Sequence, residues 1–143
     1  MGLSDSEIRD ALSSGDLVIE PFEPTCLNPA GYDLRLSATV VLGPAENRLV
    51  ATMERVELGR GMVGMLHIRS SLAREGIFAS LALVDPGFRG QLTISLFNSG
   101  RNGVRLKGGE RFVQLTLLNL GKQAATKYEG RYQDSSGVVS SRR

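Results

Sequence analysis

The segment Arg69-Ser70-Ser71-Leu72-Ala73-Arg74 sets two hydroxyls and two guanidinium groups within six residues. Hydroxyls, backbone N–H groups and planar guanidinium groups together can hold a phosphate or a carboxylate. The plainer reading is a serine helix cap followed by a surface arginine. Two further segments deliver a carboxylate to the end of an alternating apolar run: Asp33 in Pro29-Ala30-Gly31-Tyr32-Asp33-Leu34-Arg35, and Asp85 in Val84-Asp85-Pro86-Gly87-Phe88-Arg89-Gly90. The second also brings an aromatic ring. Asp-Pro-Gly is ordinary turn chemistry, so each signal is weak alone. Gly59-Arg60-Gly61-Met62-Val63-Gly64 matches the glycine fingerprint of dinucleotide sites. That mechanism needs a following helix whose N-terminus holds pyrophosphate; Met62 to Ile68 reads as a strand, so the match is a turn. His67 and Cys26 are read as structural.

The composition narrows the chemistry. A chain of 143 residues fits one domain with a real core. Hydrophobic content of 41% and charged content of 22% exclude wholesale disorder. One cysteine excludes an internal disulfide and any multi-cysteine metal site, and one histidine excludes a multi-histidine site. The net charge of +2 is too mild to argue for nucleic acid, so no direct nucleic-acid partner is expected. Lysine occurs only at 107, 122 and 127, and every other basic residue is arginine, the better phosphate donor. Coding bias or a hot habitat would give the same excess. No apolar run approaches the roughly 20 residues of a membrane span, and Met1 to Asp5 lacks a signal pattern. A cytoplasmic protein with no membrane partner is expected.

These residues need elements to position them. Ser4-Asp5-Ser6-Glu7 is a capping box that opens one short helix, about residues 4–14, ended by Gly15. From there the apolar period is two. Runs at Tyr32–Leu36, Val40–Leu42, Val50–Leu58, Met62–Ile68, Leu92–Phe97 and Phe112–Leu120 are separated by Gly, Pro and Asn turns. That pattern predicts an all-β sandwich, barrel or jelly roll. Residues 129–143 are rich in Gly, Ser, Gln, Asp and Arg and read as a mobile arm.

Taken in order, the Asp33 segment, Arg69 to Gly76, the Asp85 segment and Gly109-Glu110-Arg111-Phe112-Val113-Gln114-Leu115 resemble the successive motifs of the dUTPase / dCTP deaminase superfamily. The resemblance runs from Leu3 to Arg142. It implies a dUTPase-like distorted jelly roll or β-barrel over residues 1–128, with one short N-terminal helix. Residues 129–143 would be a flexible C-terminal arm that contributes to the active site. It also implies a homotrimer with its sites at subunit interfaces, and Mg²⁺ as cofactor. Asp85 would hold the deoxyribose 3′-hydroxyl and the attacking water. Arg69, Ser70, Ser71, Arg74 and Gln114 would contact the phosphates, with Ser71 nearest the scissile bridge and Ser71 and Arg74 taking part in catalysis. Phe88 would lie beneath the sugar. Uracil would be read by the backbone of Ser80, Leu81, Ala82, Leu83 and Val84. Arg131, Tyr132 and Ser136 of the arm would complete the substrate site, and Asp33 would help place magnesium through water.

Two chemistries occur in this superfamily. The N-terminal helix and the tail from Tyr132 to Arg142 look like the deaminase branch. Deaminases, however, place a proton-shuttling glutamate where this chain has Ser95, and a serine hydroxyl cannot shuttle protons near neutral pH without an added base. The hairpin Ser80-Leu81-Ala82-Leu83 also lacks their polar residues. The resemblance therefore implies hydrolysis of dUTP to dUMP and diphosphate, which limits uracil in DNA and supplies dUMP. The alternative is a dCTP deaminase or a bifunctional deaminase and dUTPase.

Overall fold

The computed structural model describes all residues, 1–143. It opens with α1 (Asp5–Ser14), capped as its sequence requires: Ser4 Oγ accepts from the Glu7 N–H, and the Glu7 carboxylate accepts from the Ser4 N–H. Ile8 is its buried anchor. Eleven strands follow, β1 (Leu17–Glu20), β2 (Leu27–Asn28), β3 (Gly31–Arg35), β4 (Val40–Leu42), β5 (Asn47–Leu58), β6 (Met62–Ile68), β7 (Ile77–Ser80), β8 (Leu83–Val84), β9 (Arg89–Asn98), β10 (Val104–Leu106) and β11 (Arg111–Asn119). A 3-10 turn (Pro24–Cys26) precedes β2, and a one-turn helix, α2 (Ser70–Arg74), follows β6. This is the expected all-β architecture. The 3-10 turn and the single turn of helix at α2 are elements that two-residue periodicity could not announce. No helix is long and apolar enough to cross a membrane.

Two antiparallel sheets enclose the core. One runs β2-β3-β11-β6-β8 and the other β1-β5-β9-β7, with β10-β4 as a separate ribbon. Alternation decides which side chains turn inward. Val113, Leu115 and Leu117 of β11 face the core, as do Ile94 and Leu96 of β9. Gln114 on β11 and Gln91, Thr93 and Ser95 on β9 therefore face outward.

One buried ion pair ties the sheets together. Glu54 of β5 is fully buried and Arg35 of β3 is 17% exposed at the side chain. Glu54 accepts from Arg35 Nε at 2.6 Å and from the Arg35 backbone N–H at 2.8 Å. Arg35 Nη2 also donates to the Pro21 carbonyl at 2.7 Å. Multiple hydrogen bonds of this kind are what make a desolvated charge tolerable. Beside it, fully buried Tyr32 accepts from the Glu23 N–H at 2.9 Å, and burial pushes its phenol up to about 12.

The arm differs from expectation. Residues 129–143 are laid against β9 and the 85–90 turn rather than extending free. Asp134 N–H donates to the Arg89 carbonyl, Gln91 N–H to the Ser135 carbonyl, and Arg89 pairs with Asp134. Arg131 and Arg142 donate reciprocally to each other's backbone carbonyls. Polar backbone and side-chain bonds hold the segment, and an apolar pattern was never needed.

Candidate active site

Asp85 caps β8 and begins a turn. Phe88 N–H closes it on the Asp85 carbonyl at 3.0 Å, and Gly87 at the third position has φ +83°. That left-handed angle makes a type II turn, with proline before the glycine as this turn favours. Two backbone bonds of 2.9 Å between Leu58 and the turn, from Gly87 N–H and to the Phe88 carbonyl, fix it on β5. The Asp85 carboxylate is thus held exposed at a rigid tip. Phe88 turns inward and packs edge-on against Tyr128, with ring centroids 5.6 Å apart.

Beside this turn lies a cleft of about 400 Å³. Its floor is the outward face of β9, with Gln91, Thr93 and Ser95. One wall is the hairpin, through Ser80, Ala82, Leu83, Val84 and Asp85, with Phe88 below. The other wall is the arm, through Tyr132, Ser135, Val139 and Ser141. Between β7 and β8, Leu81 and Ala82 belong to neither ladder, because the two strands pair into different sheets. Their backbone groups are open to a ligand. Asp85 is the sole carboxylate lining the cleft. Ser95 Oγ accepts from Asn47 Nδ2 at 2.8 Å. Tyr132 accepts from the Arg142 N–H, which holds its phenol below the usual tyrosine range.

A second polar cluster lies elsewhere. On the outward face of the five-stranded sheet, Asp33, Gln114 and His67 form one rung across β3, β11 and β6. Asp33 Oδ2 faces Arg69 Nε at 3.2 Å and Arg111 Nη1 at 3.7 Å, and its side chain is 6% exposed. Ser70 and Ser71 open α2, and Arg74 ends it, all exposed. Cations outnumber the one acid here, so the surface suits an anion. Gln114 lies over Gly31, where a Cβ would approach Gln114 Nε2 to 3.1 Å and the Leu115 carbonyl to 2.7 Å. Glycine at 31 is what lets β3 come this close to β11.

Asp33 suits a magnesium ion only through water. Two guanidinium groups share its Oδ2, Oδ1 has no protein hydrogen bond, and no group of three or more potential ligands surrounds it. Mg²⁺ commonly keeps several waters and leans on substrate phosphates, so such outer contact is adequate.

The expected site residues thus divide. Ser80, Ala82, Leu83, Val84, Asp85, Phe88 and Tyr132 line the cleft. Asp33, Arg69 and Gln114 gather on the five-stranded sheet, and Ser70, Ser71 and Arg74 lie on α2, which packs against β7; none of the six lines the cleft. Leu81 lies on the hairpin outside the lining, Ser136 sits behind it against Gln91, and Arg131 is turned to Arg142. Sequence reasoning missed Gln91 and Thr93 as cleft residues. The signal was present, because alternation against inward Ile94 and Leu96 places both on the outer face.

Comparison with known proteins gives the family of this chain. The family described as dCTP deaminase-like matches residues 37–120. The chain belongs to that family. Within the wider dUTPase / dCTP deaminase superfamily, its relatives include the dCTP deaminase of Pyrococcus horikoshii, 43% identical over 90% of this chain and 92% of that one. The dCTP deaminase of Thermococcus kodakarensis is 41% identical over 100% and 99%. The dUMP-forming dCTP deaminase of Aquifex aeolicus is 32% identical over 99% and 94%. The fold is that of the Staphylococcus bacteriophage 80alpha dUTPase with dUPNHPP, at TM-score 0.61 and 21% identity, covering 84% of this chain and 95% of that one. The protein is therefore an enzyme-family member of nucleotide metabolism. The phage phi11 dUTPase, described with a structural Mg(II) ion, has TM-score 0.61 at 19% identity and covers 81% and 98%.

Proposed function

We propose that this protein hydrolyses dUTP to dUMP and diphosphate by attack of water on the α-phosphorus. The carrying observation is the lone carboxylate of the cleft. Replacing an exocyclic amino group needs a base inside the pocket to move protons to and from the ring. The β9 position that faces the base pocket is Ser95, and its partner is the neutral amide of Asn47. Neither can serve as that base.

The residues present suit hydrolysis. Asp85, rigidly held at the cleft mouth, orients the attacking water and takes its proton while binding the 3′-hydroxyl. Phe88 closes the space a ribose 2′-hydroxyl would need. The open backbone groups of Leu81 and Ala82 read uracil, and an N–H facing O4 would meet the amino group of cytosine donor to donor. An unmatched buried donor pair costs enough to discriminate strongly. Arg69, Arg74, Ser70, Ser71 and Gln114 hold the phosphates. Magnesium, bound mainly by the triphosphate and through water to Asp33, would supply charge neutralisation for phosphoryl transfer. The nucleoside wall and the phosphate-binding residues are separate in one chain, since none of Asp33, Arg69, Ser70, Ser71, Arg74 and Gln114 lines the cleft. A complete site therefore takes one wall from each of two copies, and a homotrimer with interfacial sites supplies this for every chain.

The names of the curated relatives favour a second reading, deamination of dCTP, alone or followed by hydrolysis to dUMP. One assay separates the two. Purified protein is incubated with dUTP or dCTP plus Mg²⁺ and the products are resolved by ion exchange. dUMP from dUTP, with dCTP untouched, is the expected result; deoxyuridine nucleotides from dCTP would overturn it.

A further inference from the structure

The arm is docked by an unusual means. It runs parallel to β9, with a bridge between Gly90 and Ser135 and two backbone bonds, Asp134 N–H to the Arg89 carbonyl at 2.9 Å and Gln91 N–H to the Ser135 carbonyl at 2.8 Å. Beyond that point no backbone ladder continues. Side chains take over. Gln91 Oε1 accepts from the Gly137 N–H at 2.6 Å, and Thr93 Oγ1 accepts from the Val139 N–H at 3.0 Å. Thr93 Oγ1 also reaches the Gly137 carbonyl at 3.5 Å.

The Gln91 amide can point only one way. Its Nε2 faces two carbonyls, Thr52 at 2.8 Å and Met53 at 3.5 Å, at the irregularity in β5 pairing between Ala51 and Arg55. Its Oε1 faces the arm. Thr52 Oγ1 accepts from the Leu92 N–H at 3.0 Å and donates to the Glu54 carbonyl at 2.8 Å, which stiffens the same spot. The break in β5 thus frees two carbonyls that anchor the amide, and the amide in turn catches the arm.

We infer that Gln91 and Thr93 are the positioning residues that hold the arm as a wall of the nucleotide cleft. Val139 and Ser141, which the pair places, line that cleft. Side-chain attachment has a physical consequence. A strand joined through a backbone ladder leaves only by breaking the sheet, whereas residues 137–139 let go of β9 when two side chains release them. The wall can therefore open for nucleotide exchange while β9 stays paired to β5 and β7. The identity of the nucleotide rests on the hydrolase reading above; the docking does not.

The test uses the full-length protein and the variants Thr93→Val, Thr93→Ser and Gln91→Leu. Thr93→Val keeps the shape and removes the hydroxyl. Losing one or two hydrogen bonds of ordinary strength corresponds to roughly a tenfold change in an equilibrium. Amide exchange at Gly137 and Val139 should speed up about tenfold in Thr93→Val and Gln91→Leu. KM for the nucleotide should rise by a similar factor, with kcat within about twofold. Thr93→Ser should restore both, and exchange within β5 and β9 should stay at the parent level. Unchanged exchange at 137 and 139 would overturn the docking. Faster exchange with unchanged KM would overturn the positioning role. If the enzyme turned over dCTP rather than dUTP, the hydrolase reading would fall, and the same KM comparison would be made with dCTP.

Discussion

The chemistry turns on single side chains whose surroundings give them different tasks. Asp85 is exposed at the tip of a fixed turn, while Asp33 is nearly buried against two arginines. The first is open to solvent, and the second is held against two guanidinium groups. Asp85→Asn keeps the shape and removes the base. It should lower kcat for dUTP by about 10²- to 10⁴-fold while leaving dUTP binding intact, measured by steady-state kinetics beside calorimetry. A fully active variant would remove Asp85 from the mechanism. At this scale the sequence was informative. Asp85, Phe88 and the Arg-Ser-Ser segment are short contiguous signals, each tied to a turn or a strand end. Gln91 and Thr93 were harder to see, because they act by facing outward from a strand whose apolar residues drew attention inward.

Elements set the distances between those side chains, and two of them can be tested directly. Gly31→Ala would drive a Cβ to 2.7 Å from the Leu115 carbonyl, a backbone atom with no freedom to yield. Separation of β3 from β11 should cost about 1–3 kcal/mol, read as a lower midpoint in urea. Gln114 would be displaced with it, so KM should also rise. Tyr32 gives a pH signature. Its phenol ionises near 10.0 when unfolded and only near 12 when folded. Below pH 10 both states are neutral and the full stability is present. As pH rises from 10 toward 12, the unfolded state ionises first and stability falls, by roughly 2–3 kcal/mol across that window. Tyr32→Phe should cost about 1 kcal/mol at neutral pH through the orphaned Glu23 N–H, and should lose part of the alkaline decline. Unfolding curves at pH 7 and pH 11 for both proteins decide this. The strands were legible because alternation is a local property. The docking of residues 129–143 was not, since polar bonds to β9 leave no periodicity in composition.

At the scale of the whole molecule, the decisive fact is that none of Asp33, Arg69, Ser70, Ser71, Arg74 and Gln114 lines the cleft that holds Asp85. No spacing in the sequence could reveal that, because Arg74 and Asp85 lie only a short hairpin apart along the chain. If each site joins two chains, two inactive variants should rescue each other. Asp85→Asn spoils the nucleoside wall and Arg74→Ala the phosphate wall. After subunit exchange in an equal mixture, random assortment should restore about a quarter of the normal sites. Activity regained on mixing, followed over time, is the measurement, and a mixture that stays inactive would confine each site to one chain. The same division of labour bears on inheritance. With shared sites, a copy damaged in one wall would leave half of the sites in an equal mixture whole. With shared sites, a copy damaged in both walls would spoil its own site and also its neighbour's. Severity in a cell carrying two versions would then depend on how the lesions are distributed between the faces, as well as on how many there are.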